Sequence, residues 1–229
     1  MDETSLLLAG ARLVARSSGA LWWPEERLLC VSDLHLGKSE RIARRGGTLL
    51  PPYETAETLD RLGAEITRLA PATVLCLGDS FDDVASAGDL AEADMARLLV
   101  LMAGRDWIWI AGNHDPGPIP LGGRHLAEHG RGALCFRHVA LAETAPGEIS
   151  GHYHPKLRLA LGGRGLSRPC FLHDARRLML PAFGAYTGGL DTGRPELAGF
   201  FGPEARAILT GSPCLALPLA ATRARRRAG

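Results

Sequence analysis

Residues 27–35 read RLLCVSDLH. The run Leu28-Leu29-Cys30-Val31 is apolar at every position and stops at Ser32-Asp33. A short unbroken apolar run with polar ends predicts a strand buried on both faces, the kind found inside a parallel sheet. Thr73 to Leu77 (TVLCL) and Trp107 to Ile110 (WIWI) repeat the pattern. Between the first two lies Glu54 to Leu69, with Ala56, Leu59, Leu62, Ile66 and Leu69 at helical spacing, Pro51-Pro52 before it and Pro71 after it. Asp89 to Ala103 predicts a second helix. Upstream, 11–16 and 20–23 flank Ser17-Ser18-Gly19 and predict a hairpin.

From about residue 132 the pattern changes. Short alternating segments at 133–141, 146–150, 157–161, 168–173 and 176–182 predict antiparallel strands joined by Gly and charged turns. The first half is β-α-β-α-β and the second half mostly β. Two sheets packed face to face, with helices outside the first, bury both. The expected class is α/β (α+β), in one domain over 1–222, with a basic, disordered tail at 223–229 (RARRRAG).

Composition sets bounds. The chain has 229 residues, 46% hydrophobic and 22% charged, as in an ordinary globular enzyme. A net charge of +1 gives no global field for nucleic acid, so such a role must rest on local patches. Cys30, Cys76, Cys135, Cys170 and Cys214 are odd in number, with no C-x-x-C pair. They read as free thiols in a reducing, cytoplasmic setting. The N-terminal apolar stretch is too short for a signal peptide, and no run of about 18 apolar residues is present to span a bilayer. The sequence does not fix an oligomeric state.

Polar clusters follow the strands: Asp33-x-His35, Gly78-Asp79, Gly112-Asn113-His114-Asp115 and Gly151-His152-x-His154. Ligands of α/β sheets bind at the carboxyl ends of strands, so these clusters converge in space. Asp, His and Asn suit divalent Mn²⁺, Fe²⁺, Zn²⁺, Co²⁺ or Ni²⁺, and no cluster offers a thiolate. In an extended D-x-H or H-x-H both side chains point to one side. Two metals about 3.5–4 Å apart turn a bridging water into hydroxide and hold a phosphoryl oxygen, and a nearby histidine protonates the leaving oxygen. Taken singly, G-D is a turn or a cap, and D-x-H is weak. Four such clusters in order, each at a strand end, specify a site.

Together these clusters resemble the signature of the calcineurin-like metallophosphoesterases, over 33–154. The resemblance implies a four-layer αββα sandwich of two mixed β-sheets flanked by helices. It implies that Asp33, His35 and His154 hold one metal, that Asp79 bridges, and that Asn113, His152 and one further histidine hold the second. That histidine ends a strand shortly before G-H-x-H, and His138 in LCFRHVAL fits. His125 and His129, in a stretch read as helix or loop, are the alternatives. His114 would be the proton donor, with Asp115 orienting it.

A narrower resemblance covers nearly the whole chain. GALWWPEERLLCVSDLHLGK, RRGGTLLPPYET, LGDSFDD, IAGNHDP, GEISGHYHPK and LPAFGAYTGGL are similar to the ligase-associated DNA damage response endonucleases (PdeM-type). This implies two divalent metal ions, Mn²⁺ first, cleavage of phosphodiesters including DNA, and DNA ligase, helicase and exonuclease repair proteins as partners. A small-molecule or nucleotide phosphodiesterase or phosphatase is the alternative. A repair-complex scaffold is disfavoured, because every expected ligand is present.

Candidate substrate contacts are Lys38, Arg41 and Arg45, which share a face if helical, then Lys156 and Tyr186. For Lys38, Arg41 and Arg45 a solvated basic face is the favoured reading, Lys156 is the better candidate because it lies two residues past His154, and Tyr186 reads equally as core or rim packing. The Arg tail reads as a DNA contact or a solubilising end. Asp82 and Asp83 read as groups that orient ligands or as a helix cap.

Overall fold

The ligand-bearing loops owe their position to the strands that precede them. The computed structural model describes residues 2–44, 46, 53–161 and 164–220, so Arg45 and the tail at 223–229 lie outside the described residues. Its elements run β1 (Glu3–Leu8), β2 (Ala11–Arg16), β3 (Leu21–Trp23), β4 (Leu28–Val31), α1 (Lys38–Arg44), α2 (Glu54–Leu69), β5 (Thr73–Cys76), α3 (Ser86–Asp89), α4 (Glu92–Met102), β6 (Asp106–Ile110) and β7 (Arg124–Leu126). They continue with β8 (Glu128–Arg131), β9 (Leu134–Arg137), β10 (Glu148–Ser150), β11 (Lys156–Leu161), β12 (Arg164–His173), β13 (Arg177–Met179), α5 (Pro195–Ala198), β14 (Arg206–Leu209) and β15 (Leu215–Pro218).

The first seven strands form one sheet in sequence order, antiparallel from β1 to β4 and parallel from β4 to β7. The second sheet runs β15-β14-β12-β13-β10-β9-β8, with β11 paired to β12 outside that path. Both sheets are mixed, as the family resemblance implies. The side-chain alternation of a strand explains why β4 is apolar throughout. Leu28 and Cys30 point into the core between the sheets, with Leu75, Ile108, Phe136, Ile149, Phe171 and Ile208. Leu29 and Val31 point the other way, against Leu59, Leu62 and Ile66 of α2. Burying each of these α2 side chains contributes about 1.5–3 kcal/mol, which holds the helix on the sheet.

Several expectations change. The expected second helix over 89–103 is α4 alone. Leu90 and Ala91 adopt extended ψ values of 142° and 140°, separating it from the short α3. The second sheet is not purely antiparallel, because β9, β10 and β13 pair in parallel. His125 and His129 lie on strands β7 and β8, not in a helix or loop. These strands have three and four residues, and pairing with β6 and β9 defines them rather than local preference. β1, β14 and β15 add to what the sequence predicts. The outer layer over the second sheet consists of loops and the four-residue α5, packed around Leu157, Cys170, Leu172, Met179, Leu197 and Phe201. Among the described residues, no helix is long and apolar enough to cross a membrane.

Candidate metal centre

The loops after β4 and β5 extend the parallel pairing of their strands. Asp33 N donates to Gly78 O at 3.2 Å, His35 N to Asp79 O at 3.0 Å, and Leu36 N to Ser80 O at 2.9 Å. The loop after β10 joins them through the His152 amide, which donates to Asp33 Oδ2 at 3.1 Å. The clusters that are separate in sequence therefore form one surface.

Backbone geometry at this surface is unusual. Asp33, His35, Asp79, His152 and His154 have φ of 53°, 48°, 47°, 69° and 46°. Left-handed conformations at non-glycine residues cost of order 1–3 kcal/mol each and persist where the surrounding structure over-determines them. Packing is equally tight. A β-carbon on Gly112 would collide with the amide nitrogen and Oδ1 of Asp79. One on Gly184 would strike the carbonyl of Leu34 and lie 2.9 Å from that of Asp33. The LPAFGAYTGGL stretch thus buttresses the first ligand loop: Phe183 N donates to Ser32 O at 2.7 Å and Gly184 N to Asp33 O at 3.1 Å.

Two groups of ligand atoms emerge. In the first, Asp33, His35 and His154 offer atoms within 4.8 Å of one another. Asp33 Oδ2 is satisfied by Ser32 Oγ and the His152 amide. Asp33 Oδ1 lies 3.0 Å from His154 Nε2, yet both are buried and neither makes a hydrogen bond. Two bare polar atoms aimed at a common point suit a shared cation.

The second group centres on His138 Nε2. It lies 3.1 Å from Asn113 Oδ1, 3.2 Å from His152 Nδ1 and 3.2 Å from Asp79 Oδ2. His138 Nδ1 lies 2.9 Å from Leu77 O. Donation there leaves the lone pair on Nε2, the tautomer a metal ligand needs. A ring of oxygen and nitrogen acceptors at this spacing fits a divalent ion of the Mn²⁺, Fe²⁺ or Zn²⁺ type. Asp79 links the two groups, since it also clusters with His35 and His114. Its Oδ1 accepts the His114 amide at 2.9 Å.

The charges agree with this geometry. Burial works to raise the Asp79 carboxyl, but the His138 contact, the His138 charge and the His114 amide outweigh it and bring it to about 2. Burial works against a charged His138, but Asp79 and Asp33 outweigh it and raise this imidazole to about 9. Asp33 is likewise held below the ordinary carboxylate range against burial, by His154 and His138. Burial and the His138 charge push His152 down, against the opposing charges of Asp33 and Asp79.

A family model of the calcineurin-like phosphoesterases matches residues 26–182, more than half of the chain. The chain is a calcineurin-like phosphoesterase. The crystal structure of Pseudomonas putida nuclease MPE is similar to it, with a TM-score of 0.73 and 27% identity, covering 94% of this chain and 100% of that one. The curated proteins gave no match. As a calcineurin-like phosphoesterase the protein is a metal-dependent hydrolase, and its candidate ligand clusters suit divalent metals.

Not every predicted residue of this calcineurin-like phosphoesterase lies where the sequence suggests. Asp115 does not face the His114 ring. Its buried carboxylate accepts the amides of Asp79, Ser80, Phe81 and Gly112 at 2.8–3.1 Å, tying the loops after β5 and β6 together. The His114 ring instead places Nδ1 2.8 Å from the carbonyl oxygen of Asp82. Arg41 pairs with the Asp82 carboxylate, whose other oxygen lies 3.0 Å from His35 Nδ1. Asp82 therefore contacts both His35, a candidate ligand, and the His114 ring. Asp83 pairs with Arg44 and caps Ser86 of α3. Lys38 and Lys156 flank the turn carrying Tyr186, donating to Tyr186 O at 3.1 Å and Thr187 O at 3.0 Å. Tyr186 is 65% exposed with φ of 55°. His125 stacks on Trp109 and His129 packs by Phe136, so neither alternative joins the ligands.

Proposed function

We propose that this protein is a two-metal phosphodiesterase acting on DNA. The observation that carries the reading is the pair of ligand groups sharing Asp79, with His114 beside them. The first ion would be held by Asp33, His35 and His154, the second by Asn113, His138 and His152, and Asp79 would join both. When bound, two divalent ions, Mn²⁺ foremost, supply Lewis acidity that lowers the pKa of water and neutralises phosphoryl charge.

The chain supplies the rest. Asp79 is held by the His114 amide on one oxygen and faces His138 with the other, so its carboxylate is fixed between the two groups. His114 spends its Nδ1 hydrogen on Asp82 O, so the imidazolium form carries a second proton on Nε2, gives it to the leaving oxygen and is left as neutral imidazole. Lys38 and Lys156 offer charge to the phosphates flanking the scissile bond, and the exposed Tyr186 ring offers a stacking face. A DNA substrate is supported by the likeness to a nuclease over almost the whole chain and by the ligase-associated resemblance of LPAFGAYTGGL. The same resemblance supports a place in DNA repair beside a ligase, a helicase and an exonuclease.

The test compares bis-p-nitrophenyl phosphate, p-nitrophenyl phosphate, a cyclic nucleotide and a DNA oligonucleotide, using protein reconstituted with Mn²⁺. Turnover of the diester and the oligonucleotide supports the reading. Turnover of the monoester alone would replace it with a phosphatase.

A further inference from the structure

A cavity of about 220 Å³ opens on the α2 side of the Tyr186 turn. Ser18, Glu57, Arg61, Lys156, Tyr186 and Thr187 line it. Its wall is joined to the candidate metal loops: Gly184 packs on the Leu34 and Asp33 carbonyls, and Lys156 follows His154 by two residues.

Its cations outnumber its acids. Arg61 is half-buried, with its guanidinium 4.6 Å from the Phe183 ring centre. One of its five N–H groups donates to Ser18 O at 2.6 Å. Lys156 uses one of three donors, on Thr187 O at 3.0 Å. Among the described residues neither cation forms an ion pair. Glu57 is exposed and is the one acid in the lining, which leaves the cavity net positive. Burial pushes the Arg61 guanidinium down, and the charges of Glu57 and Glu65 offset this only in part. Two under-paired cations with donors to spare, in a polar recess, suit an anion with several acceptor oxygens. A metal ion would be repelled.

We infer that this cavity binds a non-scissile phosphate of a polynucleotide, seated beside the one being cleaved. The inference rests on the phosphodiesterase reading above. It assigns to Arg61, on a helix far from every metal motif in sequence, a role in substrate binding and in selecting polynucleotides over small diesters.

The experiment measures binding of a labelled single-stranded oligodeoxynucleotide to the whole protein in chelator, as a function of salt. The variants are Arg61→Gln, Arg61→Lys and Ser18→Asp. The last places a carboxylate beside Arg61 in a turn that accepts Asp readily, so it tests the cavity even if Arg61→Gln fails to fold. Arg61→Gln and Ser18→Asp should weaken binding about tenfold. They should also flatten the slope of log K against log salt by about 0.7, one phosphate contact on a single strand. Arg61→Lys should restore the slope. With Mn²⁺ present, Arg61→Gln should raise KM for the oligonucleotide about tenfold more than for bis-p-nitrophenyl phosphate, which carries no second phosphate. A wild-type slope in both charge-altering variants, or equal losses on the two substrates, would overturn the inference. If the wild-type enzyme hydrolyses neither diester, the phosphodiesterase reading fails, and the salt slope still decides whether the cavity holds phosphate.

Discussion

His138 Nε2 and Asp79 Oδ2 lie 3.2 Å apart at the meeting point of the two ligand groups. The acid comes from the first sheet and the imidazole from the second, so the contact ties the sandwich together across the site. Asp79 holds a proton on His138 in the metal-free protein, with the imidazole raised to about 9. A cation must displace that proton to use the Nε2 lone pair.

Metal binding should therefore release protons and strengthen with pH. Between pH 7.5 and 8.5 the affinity of the second ion should rise about tenfold, as one displaced proton requires. His138→Gln should bind a single ion with little pH dependence over that range. Calorimetric titration with Mn²⁺ in buffers of different ionisation enthalpy measures the proton count directly.

Stability of the metal-free protein should move the opposite way. The folded-state value of His138 is raised, so its contribution is complete below the ordinary histidine value of about 6.5 and is lost as pH rises through about 9. In chelator, Tm should fall between pH 7 and 9.5. His138→Gln should remove that part of the decline.

His114→Ala should slow esters with poor leaving groups by about 10²–10⁴, the usual worth of general acid catalysis. Aryl esters with good leaving groups should lose much less. Equal losses across a leaving-group series would remove His114 from the proton-donor role.

Asp82 should matter as much as a ligand, since it meets His35 through its carboxylate and the His114 ring through its carbonyl. Asp82→Asn should reduce metal affinity by about 10–100-fold, as removal of a partner of a ligand histidine commonly does. Arg41→Gln should have a weaker effect in the same direction, seen in metal affinity rather than in KM for DNA. A change confined to KM would return Arg41 to substrate contact.

Much of this site is legible in the sequence because ligand chemistry, glycine and strand end coincide at each cluster. Gly112 is required where Asp79 crowds its α-carbon, so G-N-H-D signals packing as well as ligands. α2 matches its predicted bounds because proline and apolar spacing mark both ends. What stays hidden depends on contacts between distant segments. Asp115 follows His114, and adjacency suggests a pair, but Asp115 turns inward to the backbone amides of the loop after β5, a contact that only the fold creates. The Asp82 carbonyl under His114 has no side-chain signature at all. β7 and β8 are too short for periodicity to reveal, and the parallel pairing of β9, β10 and β13 joins segments through long connections. Arg61 looks like an ordinary helix-surface residue until Phe183 and the Tyr186 turn fold over it.

The central claim is a two-metal centre joined by Asp79, and counting ions tests it most directly. Chelator-treated protein is titrated with Mn²⁺ while bound metal and hydrolysis of bis-p-nitrophenyl phosphate are followed together. The wild-type protein should bind two ions per chain, with turnover following the second, and Asp79→Asn should abolish turnover. A single ion at full activity, or undiminished turnover by Asp79→Asn in Mn²⁺, would contradict the account.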